Sequence, residues 1–331
     1  SVQNPYALIE KGAIEELSPY IEAAGIDRTA YFPTAFQGFK VETGVYGIGI
    51  GISVHSCCAD SSLFSGEETY SLAHMMDILE EQEGDKVFQN KKDAVALVHD
   101  WLKPSEDLYG MVDWEKNLCD FSGADFCRLL DLAARYGAGE GKGADGYLFN
   151  RVDINNYGWY AGYDNSIKNS GRVMTGFPGE EAGAHSLAVN TIAVNAASDK
   201  KEGAWRFICF LLQEEIQEKL GMNAACYQFP TNRQAFWNAG NYWCENHVGV
   251  RLEPAEDPEW VIEADWFTKE QLADLESLLG RAVFFPYKTQ EILAIIEEET
   301  ALYFDGSKSM EETVDVIQNR VQLYLDEQAG R

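Results

Sequence analysis

A chain of 331 residues, 46% of them hydrophobic, is long enough for one large or two medium domains with a substantial core. Lys and Arg total 26 against 54 Asp and Glu, a net charge of −28, which repels nucleic-acid backbones and anionic membrane surfaces and otherwise reads as a solvated acidic face. Seven cysteines, at 57, 58, 119, 127, 209, 226 and 244, are odd in number, too sparse for a disulfide scaffold and without the C-x-x-C spacing of a structural zinc site.

The chain opens on "SVQNPYALIEKGAIEEL", with no charged start leading into an apolar core, so no signal peptide is expected there, and no later apolar run reaches the roughly 18 residues of a membrane span. "VYGIGIGISVHS" (45–56) alternates Gly with Ile or Val, the pattern of a strand that another backbone approaches closely or that must bend. The adjacent Cys57 and Cys58 read as an inert pair beside it. "YSLAHMMDILEEQ" places Leu72, Met75, Met76 and Leu79 at i, i+3, i+4 and i+7, and "SGADFCRLLDLAARYG" does the same with Phe126, Leu129, Leu130 and Ala133 before stopping at Gly137; both predict helices lying on a core. After a strand at "GYLFNRVDI", the stretch "NNYGWYAGYDN" (155–165) sets Tyr157, Trp159, Tyr160 and Tyr163 among Gly and Asn, with neither helical nor strand period, and reads as a loop.

"GRVMTGFPGEEAGAHS" (171–186) ends a short strand at Pro178 and opens into a Gly-rich loop, and the β-branched "SLAVNTIAV" (186–194) reads as a buried strand. Strand then helix indicates α/β layering, because the following segment puts Trp205, Ile208, Cys209, Leu212 and Ile216 in helical register. Phe207, Phe210 and Leu211 widen that stripe and predict burial on more than one side. Near the end, Asp305-Gly306-Ser307 separates two helices; Ser309 and Glu312 form an S-x-x-E capping box, with Val314, Ile317, Val321 and Tyr324 down one face.

Phosphate-loop, nucleophile-elbow, H-E-x-x-H and dinucleotide motifs are absent, and the five histidines (55, 74, 99, 185, 247) are scattered. No cofactor and no metal is implied. Acidic pairs such as Glu180 and Glu181 could serve a glycosidase, but among 54 acidic residues they arise by chance. Aromatic clusters are the better clue: rings at 157–163, Phe236, Trp237, Tyr242 and Trp243, and Phe284, Phe285 and Tyr287 offer flat walls for the C–H faces of sugars, with Asn, Asp, Glu and His to meet hydroxyls.

Four segments in one order, "YALIEKGAIEELSPYIE", "GFPGEEAGAHSLAVNTIAVNAASDKKEGAWRFICFLL", "YQFPTNRQAF" and "IIEEETALYFDGSKSMEETVDVIQNRVQLYLDEQ", resemble the extracellular solute-binding proteins of carbohydrate ABC importers, the group of maltose-binding protein. The resemblance runs essentially the whole chain. It implies an α/β fold of two periplasmic-binding-protein-like lobes, joined by hinge crossovers and closing on a ligand held between them. The first lobe is expected from 1–50 and 178–240, the second from 51–177 and 280–331, with 241–279 unassigned. In the family, further elements and an export signal with a lipid-attachment cysteine precede "KGAIEELSPYIE", so the first lobe is expected to be incomplete here.

Carried over by position, the resemblance puts an aromatic platform of Trp159, Tyr157 and Tyr160 in the second lobe. It places Glu180, Glu181 and His185 at the return crossing, Tyr46 and His55 beside the first, and Tyr287 at the last. The implied function is non-enzymatic: capture of an oligosaccharide by a monomer, and delivery to ABC permease subunits, outside the cell and anchored as a lipoprotein through a preceding segment. The alternatives are a binding protein for a non-sugar small solute and a carbohydrate-active enzyme.

Overall fold

A computed structural model of the chain describes residues 5–41, 43–64, 70–82, 93–137, 149–169, 171–179, 184–223, 225–246, 266–284 and 289–329. Its longest strand, Ile48–Asp60, is the glycine-alternating segment. In the sheet it lies between the strands Phe149–Ile154 and Ser186–Ile192, the latter neighbouring Val283–Phe284. Arg172–Met174 pairs antiparallel with its far end, Cys58 opposite Met174. The glycines answer a packing demand: a Cβ on Gly49 would sit 2.5 Å from Val189 Cγ1 and 3.2 Å from Ala35 Cα. The fold is therefore α/β, as the alternation of strand and helix predicts.

The chain divides into two compact units, one of Ser1–His55, Asp153–Asn169 and Leu187–Phe284, the other of Ser56–Val152, Ser170–Ser186 and Phe285–Arg331. This division departs from the expected boundaries at several points. Residues 153–169, expected in the second lobe, belong to the first unit, as does the unassigned span 241–279; the segment 178–186, expected in the first lobe, belongs to the second.

In the first unit, one core joins Leu17, Ile21, Phe36, Val45, Ile48 and Val194 to Trp205, Ile208 and Leu212 of the helix Lys201–Leu212. That helix is buried on one face only. Phe207 and Phe210 are 57% and 46% exposed and stack on each other at 6.4 Å, so two of the three residues that widened the stripe face outward, while Leu211 is half-buried. Gln217, fully buried on the helix Glu214–Met222, ties the central strand to a later loop: its amide nitrogen donates to Ile50 O and Leu211 O, both at 2.9 Å, and its oxygen accepts from Thr231 N at 2.8 Å. Buried backbone groups must find such partners, and here a side chain supplies them.

The second unit packs the helices Leu72–Glu81, Ala94–Leu102 and Ala124–Gly137 against the helical hairpin of Gln290–Phe304 and Met310–Ala329 around one core. The periodic residues named from the sequence, Leu72, Met75, Met76, Leu79, Phe126, Leu129, Leu130 and Ala133, are all buried in it. Gly306 turns the hairpin at φ +81, a left-handed conformation that favours glycine. Ser309 and Glu312 cap the last helix reciprocally: Glu312 N donates to Ser309 Oγ at 3.2 Å and Ser309 N to the Glu312 carboxylate at 2.9 Å. All seven cysteines are free, and burial pushes the Cys119 thiol up to about 11.

Candidate functional site

The stretch expected to be a loop is the α-helix Tyr157–Asn169. Asn156 starts it, its side-chain oxygen accepting from Trp159 N at 2.9 Å, as an N-cap does. Tyr157, Tyr160 and Ala161, at i, i+3 and i+4, form its buried face. The period is helical, but it is written in aromatic rings and interrupted by Gly158 and Gly162, both poor helix formers, so that the usual aliphatic signal is missing.

Two of the platform residues are therefore core residues. Tyr157 is fully buried: its ring lies 5.1 Å from Phe229, 5.5 Å from Phe236, 5.9 Å from Trp243 and 5.4 Å from Phe267, and its hydroxyl donates to Phe236 O at 2.7 Å. Tyr160 is 6% exposed. Burial holds both phenols well above their ordinary pKa, so they stay neutral. The rings that the sequence reading assigned to a ligand are covered by protein instead.

Trp159 is different. It is half-buried and lies one helical turn before Tyr163, also half-buried, with ring centroids 5.6 Å apart and planes inclined by 33°. The pair makes a partly exposed apolar ledge on a face other than the one that enters the core. Just before the helix, Asn155 Oδ1 and Asn156 Nδ2 are buried and have no hydrogen-bond partner among the described residues. Unsatisfied buried amide atoms are costly and call for a water or a ligand hydroxyl. On the strand leading in, Val152 and Ile154 are buried, and the Asp153 carboxylate between them meets His55 Nδ1 at 2.5 Å. Asn155, Asn156 and Asp153 were not among the residues singled out, and Tyr163, named with the aromatic cluster, was left out of the platform; i, i+4 spacing from Trp159 would have drawn it in had the helix been legible.

The remaining candidates separate. Tyr46 is half-buried beside the hairpin Lys40–Val41 and Gly44–Val45, its N–H donating to Phe39 O at 2.9 Å. His185, expected to face a ligand, is only 5% exposed in the second unit, with Nδ1 2.8 Å from Ser56 Oγ, itself fully buried. The contact works as a buried polar link. Glu180, Glu181 and Tyr287 lie outside the described residues.

No protein-family model matches the chain, and no curated protein does. Solved structures do match. The sugar-binding protein MalE from Xanthomonas citri superposes with a TM-score of 0.57 at 16% identity, covering 98% of this chain and 82% of that one. A chitin oligosaccharide binding protein gives 0.58 at 12% identity, covering 98% and 81%. An ABC substrate-binding protein from Listeria monocytogenes in complex with cycloalternan gives 0.57 at 14%, covering 96% and 81%. The chain thus has the two-lobe, periplasmic-binding-protein-like fold of the MalE-like sugar-binding proteins, which extend beyond the part of them that it matches.

Proposed function

We propose that this chain is a solute-binding protein that captures an oligosaccharide outside the cytoplasmic membrane and delivers it, as a monomer and without chemistry, to the permease subunits of an ABC importer. The observation that carries the reading is the Trp159 and Tyr163 ledge next to the unsatisfied amides of Asn155 and Asn156. A sugar presents both an apolar C–H face to stack on rings and hydroxyls to satisfy amides, and pockets for small ligands combine these two elements. The fold supports the same reading, since neighbours bind maltose, cycloalternan and chitin oligosaccharides by their own descriptions.

A thermal-shift panel of maltodextrins, chitin oligosaccharides and cycloalternan tests it. A ligand at about 100 times its Kd stabilises the folded state by about 2.7 kcal/mol through linkage. One saccharide class is expected to raise the Tm, and Trp159→Ala to abolish that rise while leaving the unliganded Tm close to wild type, because the ring is only half-buried. Full retention of the shift in the variant, or no shift with any saccharide, overturns the assignment. Turnover of a chromogenic glycoside that disappears when one carboxylate is replaced would establish an enzyme instead.

A further inference from the structure

The helix Tyr157–Asn169, which carries Trp159 and Tyr163, has little reason of its own to form, because Gly158 and Gly162 interrupt it. Support comes from the start of the helix Lys269–Arg281, in the same unit and in the span that the sequence left unassigned. Buried Phe267 sets its ring 5.4 Å from Tyr157 at the first turn. Gln271, also buried, reaches the residues that follow Tyr163: its Nε2 donates to Asp164 Oδ2 at 2.9 Å and to Asn165 Oδ1 at 3.3 Å.

The same amide closes the capping box of its own helix. Gln271 Oε1 accepts from Thr268 N at 3.0 Å, and Gln271 N donates to Thr268 Oγ1 at 3.2 Å. The partners fix which way the amide points, since a backbone N–H can only donate and a carboxylate can only accept. Glutamate at this position would cap the helix equally well. Only glutamine keeps a donor for the neighbouring helix, so the cap and the ledge are joined through one side chain.

We propose that Gln271 is a positioning residue for the ledge: acting through Asp164 and Asn165 rather than on a ligand, it holds the orientation in which Trp159 and Tyr163 meet a sugar face. Rings that stack on a ligand hold their planes only when the residues behind them are locked by packing and hydrogen bonds. The effect on affinity rests on the oligosaccharide reading; the orientation of the helix does not.

The test compares Gln271→Glu with Gln271→Glu combined with Asp164→Asn. The first keeps the capping acceptor but sets two carboxylates against each other; the second gives the link back with its direction reversed, an amide on the ledge helix donating to a carboxylate on the other. One readout is fluorine NMR of protein labelled with 5-fluorotryptophan, in which the Trp159 signal among the eight tryptophans is assigned by its loss in Trp159→Phe. The other is calorimetric titration with the saccharide that raises the Tm. Gln271→Glu is expected to move the Trp159 signal and weaken the saccharide at least fivefold, and the combined variant to restore both. Glu299→Gln, a substitution in the other unit that lowers stability, should move neither. A Trp159 signal that stays in place in a folded Gln271→Glu variant overturns the proposal, as does a combined variant that restores neither readout. Should Gln271→Glu not fold, the combined variant decides. If no saccharide binds the wild type, the oligosaccharide reading falls by itself, and the Trp159 signal still decides whether Gln271 orients the ring.

Discussion

At the scale of single residues, the two most informative positions sit two apart in the chain and do opposite work. Tyr157 is fully enclosed by four aromatic neighbours and spends its hydroxyl on a backbone carbonyl, whereas Trp159 keeps part of its ring in solvent. Removing the Tyr157 ring opens a cavity in a closely packed nest, and Tyr157→Ala should cost about 3–5 kcal/mol. Tyr157→Phe keeps the ring and deletes only the hydroxyl, whose partner Phe236 O lies inside the helix Arg233–Asn246; its cost should be about 1 kcal/mol. Urea midpoints at constant m-value measure both. A Tyr157→Ala variant as stable as the wild type would refute the core role and restore the ring to the list of ligand groups. Composition alone could not separate these rings, because Tyr and Trp serve buried cores and sugar surfaces equally well and only the local backbone decides which way each one points.

At the scale of elements, the last helical hairpin holds a buried carboxylate in place by charge. Glu299, 5% exposed on Gln290–Phe304, receives Lys308 from the turn and Arg320, at 2.5 Å, from Met310–Ala329. Desolvation alone would raise its pKa, but the hydrogen bonds and charges of Lys308 and Arg320 outweigh it and the pKa is lowered. A carboxylate depressed in the folded state contributes stability above its unfolded pKa of about 4.3 and loses it as the pH falls through the folded value. Glu299→Gln should therefore cost about 1.5–3 kcal/mol at pH 7, with the gap from wild type closing between about pH 5 and pH 3. Urea denaturation across that range checks it; a gap independent of pH would mean that shape, not charge, sets the cost. The hairpin itself was legible, since its aliphatic i, i+3, i+7 pattern, the Asp305-Gly306-Ser307 break and the Ser309 to Glu312 box are local signals. The burial of Glu299 was not, because its partners lie 9 and 21 residues away, on the turn and on the facing helix. The helix Tyr157–Asn169 escaped for the opposite reason: its own residues, glycines and asparagines among them, argue against the conformation that the surrounding aromatic core imposes.

For the whole molecule, the order of strands and helices was readable, and with it the fold class. The allocation of 153–169 and 241–279 was not, because contact between distant segments leaves no mark in a window of sequence. Net charge is the global property that composition does determine, and its consequence can be measured. With 54 acidic and 26 basic side chains, 54 − 26 = 28 negative charges are left uncompensated by Lys or Arg, even if every cation is used. Their mutual repulsion opposes the compact state, whereas exposed ion pairs such as Lys219 with Glu215 are largely screened by solvent and contribute little. Salt screens both, shortening the Debye length from about 30 Å at 0.01 M to about 8 Å at 0.15 M, but it relieves more repulsion than it forfeits attraction. Raising sodium chloride from about 0.01 to 0.15 M at pH 7 should stabilise the chain on the order of 1–2 kcal/mol, a Tm rise of about 2–6 °C. Differential scanning calorimetry reads this directly. A Tm that falls with salt would place the balance with specific ion pairs rather than with the excess of acid, and the acidic surface would then be organised rather than merely solvated.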